Sequence, residues 1–438
     1  MRLLVRNGHV IDPVSKLDGT GDVLVEDGRI AAVGPGLAAN GAEVLDASGL
    51  IVAPGLIDIH VHLREPGFEY KETIQSGTAA AAAGGFTAVV TMANTSPVND
   101  TAAVTEFMLR RAAEVGKVTV YPVGAISKGL EGKRLTEIGE LVSAGAVAVS
   151  DDGHPVEDPL LMRRAMEYAT FFDIPIIEHC ETPALHPGGS MHEGFWSTSL
   201  GLRGIPSASE EIAVWRNLSL AELTGARLHI AHLSTRGALE AVREAKRRGI
   251  PVTCEVTPHH LLLTDEAVQG YDTNTKMMPP LRSEEDRQAL LQGLADGTVD
   301  AIATDHAPHH VDDKCVEYDK AAFGIVGLET AVSLCLDRLV KKEIITLSRL
   351  VELLSSGPVR ALGLNKLDKI NKGSLAVGAD ADITILEPKR RVTVQPELFQ
   401  SKGRNTPFKG LELQGGPVTT IVGGRIAWQA SSERTHAG

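Results

Sequence analysis

Gly55-Leu-Ile-Asp-Ile-His60-Val-His62-Leu-Arg64-Glu-Pro-Gly67 is the stretch on which the reading of this chain turns. An apolar run through Leu56, Ile57 and Ile59 delivers two histidines with one residue between them. Alternate side chains of a strand share a face, so His60 and His62 project together while Val61 points away. Two imidazoles on one strand face suit a metal site and are an unusual filling for a core. A solitary His-x-His is more often packing than ligand. Its place after a buried strand, and the acids and histidines downstream, reverse that weighting.

Working outward, residues from Ile51 to about Leu364 alternate strand-like and helix-like patterns. Candidate strands are Ile57–His62, Thr87–Met92, Val118–Val123, Ala146–Ser150, Pro175–His179, Leu228–His232, Val252–Val256 and Ala301–Asp305. Amphipathic runs such as Val104–Val115, Leu160–Phe172, Ala238–Arg248 and Arg287–Ala295 lie between them. Ser207-Ala-Ser-Glu210 has capping-box spacing and predicts a helix start. Eight strands, each followed by a helix, predict an α/β fold, a (β/α)8 TIM barrel over 53–364. Both chain ends differ in texture, with short apolar strands broken by Asn7-Gly8, Asp27-Gly28 and Gly423-Gly424, which are hairpin signals. Residues 1–52 and 365–438 are therefore expected to form one small β-sandwich domain.

Composition narrows the function. A chain of 438 residues with a net charge of -13 is a poor partner for nucleic acid or an anionic membrane. No apolar run reaches the length of a membrane span. Cys180, Cys254, Cys315 and Cys335 are far apart, with no Cys-x-x-Cys pair, which predicts free thiols and a cytoplasmic setting.

A TIM barrel carries its chemistry at the C-terminal ends of its strands. Those ends supply His60 and His62, then Asp151 and Asp152, then His179, His232 and Asp305. One catalytic zinc needs about three protein ligands, so this many candidates suggests two ions. Such a pair activates water near neutral pH, and Asp305 is the best-placed carrier of the proton from that water to a departing nitrogen.

These pieces resemble the amidohydrolase superfamily and, within it, the bacterial dihydroorotases of the long, type I form. The resemblance runs through essentially the whole chain. It is carried by His60-Val-His62-Leu-Arg64-Glu-Pro-Gly67, Met92-Ala-Asn94-Thr95, Ser150-Asp-Asp152-Gly153, Glu178-His179, His229-Ile-Ala-His232-Leu-Ser234, Thr304-Asp-His-Ala-Pro-His309 and Phe323-Gly-Ile-Val-Gly-Leu-Glu329-Thr330. It implies the reversible closure of N-carbamoyl-L-aspartate to (S)-dihydroorotate in pyrimidine synthesis, with two zinc ions per subunit; a nitrogen and carboxylate donor set would accept manganese or cobalt as well. By the same resemblance His60 and His62 hold one ion and His179 and His232 the other. Asp305 serves as ligand of the first ion and acid/base, and Asp152 bridges the two. Many relatives, hydantoinases among them, bridge through a carboxylated lysine on strand four. This strand end has Asp151 and Asp152 and no lysine.

The resemblance also implies substrate contacts at Arg64, Asn94, Met278, His309 and the backbone of Phe323 and Gly324. A guanidinium fork is the natural partner of the dihydroorotate carboxylate. One position departs from the family, which usually has asparagine where this chain has Met278, before Pro279-Pro280. Three consequences stay open: a backbone and packing role, a lower affinity, or a different substrate. A homodimer and association with aspartate carbamoyltransferase are further implications.

Other histidines and cysteines are given humbler roles. His259 and His260 are expected to be structural, Cys180 to pack, Cys315 to sit solvated, and 309–323 to be a lid or a plain loop. Two other functions compete. An allantoinase or hydantoinase-like enzyme would open a different ring, and a non-catalytic scaffold would keep the fold without its ligands. Here every ligand position is filled.

Overall fold

The computed structural model describes residues 2–367 and 370–431. Eight strands pair in chain order, and each ladder is parallel: β1 (Leu56–Val61), β2 (Phe86–Thr91), β3 (Thr119–Gly124), β4 (Ala148–Val149), β5 (Ile176–Glu178), β6 (Leu228–Ile230), β7 (Val252–Val256) and β8 (Ala301–Ile302). Closure from β8 back to β1 is made by a single parallel bridge between Val61 and His306, with His62 N–H donating to His306 O at 2.9 Å. Asp58 fastens that seam. Its carboxylate accepts from Thr304 N (3.1 Å) and Thr304 Oγ1 (2.5 Å), and burial pushes its pKa up to about 7. The architecture is the expected barrel.

Inside the barrel Ile57 and Ile59 pack with Val90, Met92, Val123 and Ile177. Val61 and Leu63 join the outer core beneath the helices instead. The alternation of faces therefore slips within β1, where the ladder to β2 shifts register between Asp58 and Val61. A bulge of this kind re-aims side chains. It lets two apolar residues and then both histidines point inward along one short strand.

Ladders of two or three residues at β4, β5, β6 and β8 are shorter than the sequence patterns suggest. The missing ends bend away from the ladder to present the site. His232 and Asp305 have φ of 31° and 45°, a left-handed backbone that non-glycine residues adopt at a cost of about 1 kcal/mol or more.

The helices fall where periodicity places them, over Ala102–Val115, Pro159–Thr170, Arg236–Arg247 and Glu284–Asp296. The helix Ser207–Thr224 also starts at the expected residue, but its capping box does not form. The Glu210 carboxylate is buried and turned to the loop after β6, where it accepts from Ser234 N (2.9 Å) and Thr235 N (3.2 Å). With the hydroxyls of Ser234 and Thr235, four donors on that loop outbid the helix's own backbone.

Both chain ends meet in a second eight-stranded sheet. Its path runs through 425–429, 412–422, 383–393, 51–54, 2–12, 17–26 and 29–34, with 43–46 alongside 2–12. Its core joins Leu3, Val23, Ile30 and Val52 from one end to Leu375, Ile383 and Ile421 from the other. Asp27-Gly28 makes the expected tight turn, with φ of 47° and 79°. Asn7-Gly8 does not. It is a bulge within the continuous strand Arg2–Asp12, where Asn7 N–H bonds Asp22 Oδ1 at 2.8 Å. A local signal for reversal yields there to the partner strand. Ile51–Pro54 leads directly into β1, so this sheet and the barrel are joined at the barrel's first strand.

Candidate metal centre

The six residues named from the strand ends converge at one barrel mouth, all of them buried. His62 Nε2 lies 2.9 Å from Asp305 Oδ1, and His60 Nε2 lies 3.5 Å from the same oxygen. Asp152 sits in the middle. Its Oδ1 is 3.4 Å from His60 Nε2, 3.3 Å from His232 Nε2 and 3.7 Å from His179 Nδ1, while its Oδ2 is 3.5 Å from His62 Nε2. One carboxylate thus reaches all four imidazoles. Asp151 is directed elsewhere, its Oδ1 accepting from Ile126 N (2.7 Å) and Ser127 N (2.9 Å) beyond β3.

Whether such a cluster suits a metal is decided by its donors. Tetrahedral zinc with ligands near 2.0–2.1 Å separates neighbouring ligand atoms by about 3.3 Å. The spacings here bracket that value. Three groupings, His60 with His232 and Asp305, His60 with His62 and Asp152, and Asp152 with His179 and His232, bring their donor atoms close enough to share an ion. His60 Nε2 is buried with no hydrogen-bond partner. His179 Nδ1 and His232 Nε2 lie 2.9 Å apart, so a proton or a cation has to stand between them. The residues fit a metal.

The outer ring nitrogens of His60, His62 and His179 are occupied, which fixes their inward ones. His60 Nδ1 pairs with Glu255 Oε1 at 2.6 Å, His62 Nδ1 with Asn94 Oδ1 at 2.9 Å, and His179 Nε2 with Glu181 Oε2 at 2.9 Å. Such partners set the tautomer and orientation of a ligand imidazole. Sequence reasoning missed Glu255 and Glu181. Glu255 also meets His229 Nε2 (3.2 Å) and accepts from His232 N (3.3 Å), so it joins β1, β6 and β7. A buried glutamate in the apolar strand Val252–Val256 was the available signal.

Charge balance leads to the same point. Burial opposes protonation of His60, yet Asp152, Asp305 and Glu255 prevail and hold its pKa well above the ordinary value. His179 is likewise raised to about 10 against its burial, through Asp152 and Glu181. Burial would raise Asp152, but His60 and the hydrogen bonds of His179 and His232 hold it well below the carboxylate range. The cluster demands positive charge at its centre. A divalent cation can supply it in place of those protons and leave the rings neutral, as ligands must be.

Beside the cluster lies a cavity of about 590 Å³ lined by Arg64, Asn94, Met278, His309, Phe323 and Gly324, all the positions expected to meet substrate. Arg64 has φ of 61°, and its Nε donates to Pro308 O at 3.3 Å. Among the described residues its Nη atoms have no hydrogen bond or ion pair. His309 is more encumbered, with Nε2 donating to Phe323 O (2.8 Å) and Nδ1 facing Lys71 Nζ (3.3 Å). Burial, then Arg64, Lys71 and Lys314, lower its pKa to about 3, so the ring is neutral. Only glycine fits at 324, since a Cβ there would stand 2.7 Å from Ala307 O. The loop 309–323 is tied down by Lys314, whose buried Nζ donates to Thr273 O, Lys276 O and Ala322 O at 2.7–3.3 Å.

The residues set aside from the sequence lie nearby. His259 and His260 are buried on a short helix, Pro258–Leu262, with His260 held between Thr257 Oγ1 and Pro279 O. Cys180 is buried against Asn217, and Cys315 is exposed.

Comparison with known proteins agrees with this site. Residues 49–238 match the dihydro-orotase-like family and 225–427 the amidohydrolase family. The chain is 54% identical to the dihydroorotase of Syntrophotalea carbinolica, over 98% of this chain and 100% of that one. It is 56% identical to the dihydroorotase of Anaeromyxobacter dehalogenans, over 97% of each. Among solved structures it superposes on the L-hydantoinase (dihydropyrimidinase) of Arthrobacter aurescens with a TM-score of 0.87, at 28% identity, covering 97% and 95% of the two chains. More than half identical to dihydroorotases from end to end, the chain belongs to the dihydroorotase family of amidohydrolases.

Proposed function

We propose that this chain is a dihydroorotase of the long, type I form, interconverting N-carbamoyl-L-aspartate and (S)-dihydroorotate in pyrimidine synthesis. The observation that carries the reading is Asp152, within 3.7 Å of all four histidines at the strand end where hydantoinases use lysine. His60, His62 and Asp305 would hold one zinc and His179 and His232 the other, with Asp152 shared. When bound, such a pair lowers the pKa of water towards about 7 and polarises a carbonyl.

The protein's own groups do the rest. Arg64 offers its two free Nη atoms to the substrate carboxylate as a fork. Asn94, Met278, His309 and the backbone of Phe323 and Gly324 enclose the ring. Asp305 accepts the proton of the attacking water and returns it to the ring nitrogen as the amide C–N bond breaks. In ring closure the same proton moves the opposite way. Burial of the cluster keeps other water from these charges.

The same proposal divides the chain into a hydrolase barrel over 53–364 and a composite β domain from 1–52 and 365–438. Membership of the two sheets supports that division, with the strand Ile51–Pro54 of the second sheet running two residues past its first boundary. Two zinc ions, a homodimer and association with aspartate carbamoyltransferase follow from the resemblance, replacement by manganese or cobalt from the nitrogen and carboxylate donors, and a cytoplasmic setting from the scattered cysteines. That no helix of the described residues is long and apolar enough to cross a membrane is consistent with the last.

Met278 favours one second reading, an enzyme for a differently substituted ring, because a thioether cannot donate the hydrogen bonds of an asparagine amide. Turnover of dihydroorotate, allantoin and dihydrouracil by zinc-loaded protein separates the two. Preference for dihydroorotate is expected, and preference for either other ring overturns the assignment.

A further inference from the structure

Two of the segments expected to grip the substrate opposite the metals lie side by side at the mouth. One follows Asp305 and ends at His309, and the other is Phe323-Gly324. Among the described residues the two are linked by a parallel bridge at His306 and Ile325, by the hydrogen bond from Ala307 N to Ile325 O, and at their tips by the His309 ring, whose Nε2 donates to Phe323 O at 2.8 Å. The His309 ring can make that last tie only if the two backbones are held at the right separation, and a further group does this. It comes from the far end of the chain.

Asn405 lies on the loop between the strands Ile383–Thr393 and Glu412–Val422, about 100 residues beyond Asp305 in sequence, and it is buried. Every polar position of its side chain is engaged. Oδ1 accepts from His309 N at 3.1 Å, and Nδ2 donates to Ala307 O at 2.9 Å and to Gly324 O at 3.0 Å. Its own carbonyl accepts from Val326 N at 2.9 Å. One amide therefore measures the gap between the two substrate-facing segments.

The loop carrying it is anchored independently. Ser401 N and Gln400 N donate to the two carboxylate oxygens of Glu329 at 3.1 and 3.0 Å. Ser401 Oγ is bonded to Glu72, which is itself fully buried and faces His306 Nε2 at 3.3 Å. At Gly403 a Cβ would stand 2.7 Å from both Pro308 Cβ and Val326 Cγ1, so the loop packs directly on the residues it holds. The side chain is presented from a fixed support, as positioning demands.

We infer that Asn405 is a positioning residue for the substrate end of the site, holding His309 and Gly324 at the separation that the bound ring requires. The inference rests on the reading of this cavity as a dihydroorotate site. It explains why the segment Gln400–Asn405 from the second sheet is built into the barrel mouth. It also separates two jobs: the strand ends hold the metals, and Asn405 shapes the wall opposite them.

Asn405→Asp tests this. The carboxylate keeps the size of the side chain and can still accept from His309 N, but it turns lone pairs towards Ala307 O and Gly324 O where two N–H groups stood. Losing those donations is expected to raise KM for dihydroorotate about tenfold or more, since a buried carbonyl stripped of its donor pushes its segment away. kcat should change less than about threefold, and metal content should match the wild type, because no group of the metal cluster touches residue 405. If Asn405→Asp does not accumulate folded, Asn405→Ala removes the same donations and carries the same expectation. A KM within twofold of wild type, or a parallel fall of kcat and bound metal, overturns the inference. Wild-type protein is assayed alongside on dihydroorotate, allantoin and dihydrouracil. If it prefers another ring, the substrate reading fails separately, and the KM split for Asn405 is then judged on the ring it opens.

Discussion

The two walls of the catalytic cavity are built on different principles. The metal wall comes from strand ends: His60, His62, Asp152, His179, His232 and Asp305 sit within three residues of a barrel ladder, and each outward nitrogen of His60, His62 and His179 is pinned by a neighbour. The substrate wall comes from loops. Met278, His309 and Gly324 stand on segments joined by Asn405 and by Lys314, neither of which belongs to a strand, and Arg64 is tied to the same wall through Pro308 O. A strand fixes its own side chains through the pleat. A loop is fixed only by what is packed behind it, so the second wall depends on residues far away in sequence.

That contrast can be broken first at Glu255. If the metal wall owes its precision to the groups behind it, Glu255→Gln should lower zinc affinity about 10–100-fold by releasing the His60 ring. Competition with a chelator reads this directly, and KM for dihydroorotate at saturating zinc should stay near the wild-type value. A KM that climbs while zinc affinity holds would mean that the two walls are not separable. The Asn405 substitution is the mirror experiment, moving KM and leaving metal alone.

A smaller effect sharpens the comparison at Met278, which lines the cavity without any polar group to offer. Met278→Asn adds an amide at the substrate wall and is expected to lower KM about three- to tenfold, the worth of one hydrogen bond. An unchanged KM would show that this side chain only fills space, and that the loop's backbone alone serves the substrate.

The same division explains what could be read from the sequence. The eight strands and the clustering of histidines and aspartates were legible because the signal is local: a short apolar run, with a histidine or aspartate at or just past its end in five of the eight. The choice of Asp152 over Asp151 was not fixed by spacing. It came from resemblance, and geometry agrees, since Asp151 is spent on the backbone after β3. Glu255 stayed hidden because an acid in a buried strand says that it has a partner but not which one. Asn405 gave no signal at all, its three partners being 81–98 residues away. The two local motifs that misled, the capping box at Ser207 and the hairpin at Asn7-Gly8, failed for a shared reason. Each side chain or backbone group found a better partner across the fold than next door.

In the proposed site Asp152 unites two metal positions into one. Metal content of zinc-loaded protein, measured by mass spectrometry for wild type and for Asp152→Ala, tests it most directly. About two zinc ions per chain are expected in the wild type. Removing the carboxylate common to all four histidines should strip both together, with dihydroorotate turnover lost. A wild type that binds no metal, or an Asp152→Ala protein that keeps its full complement, would contradict the account.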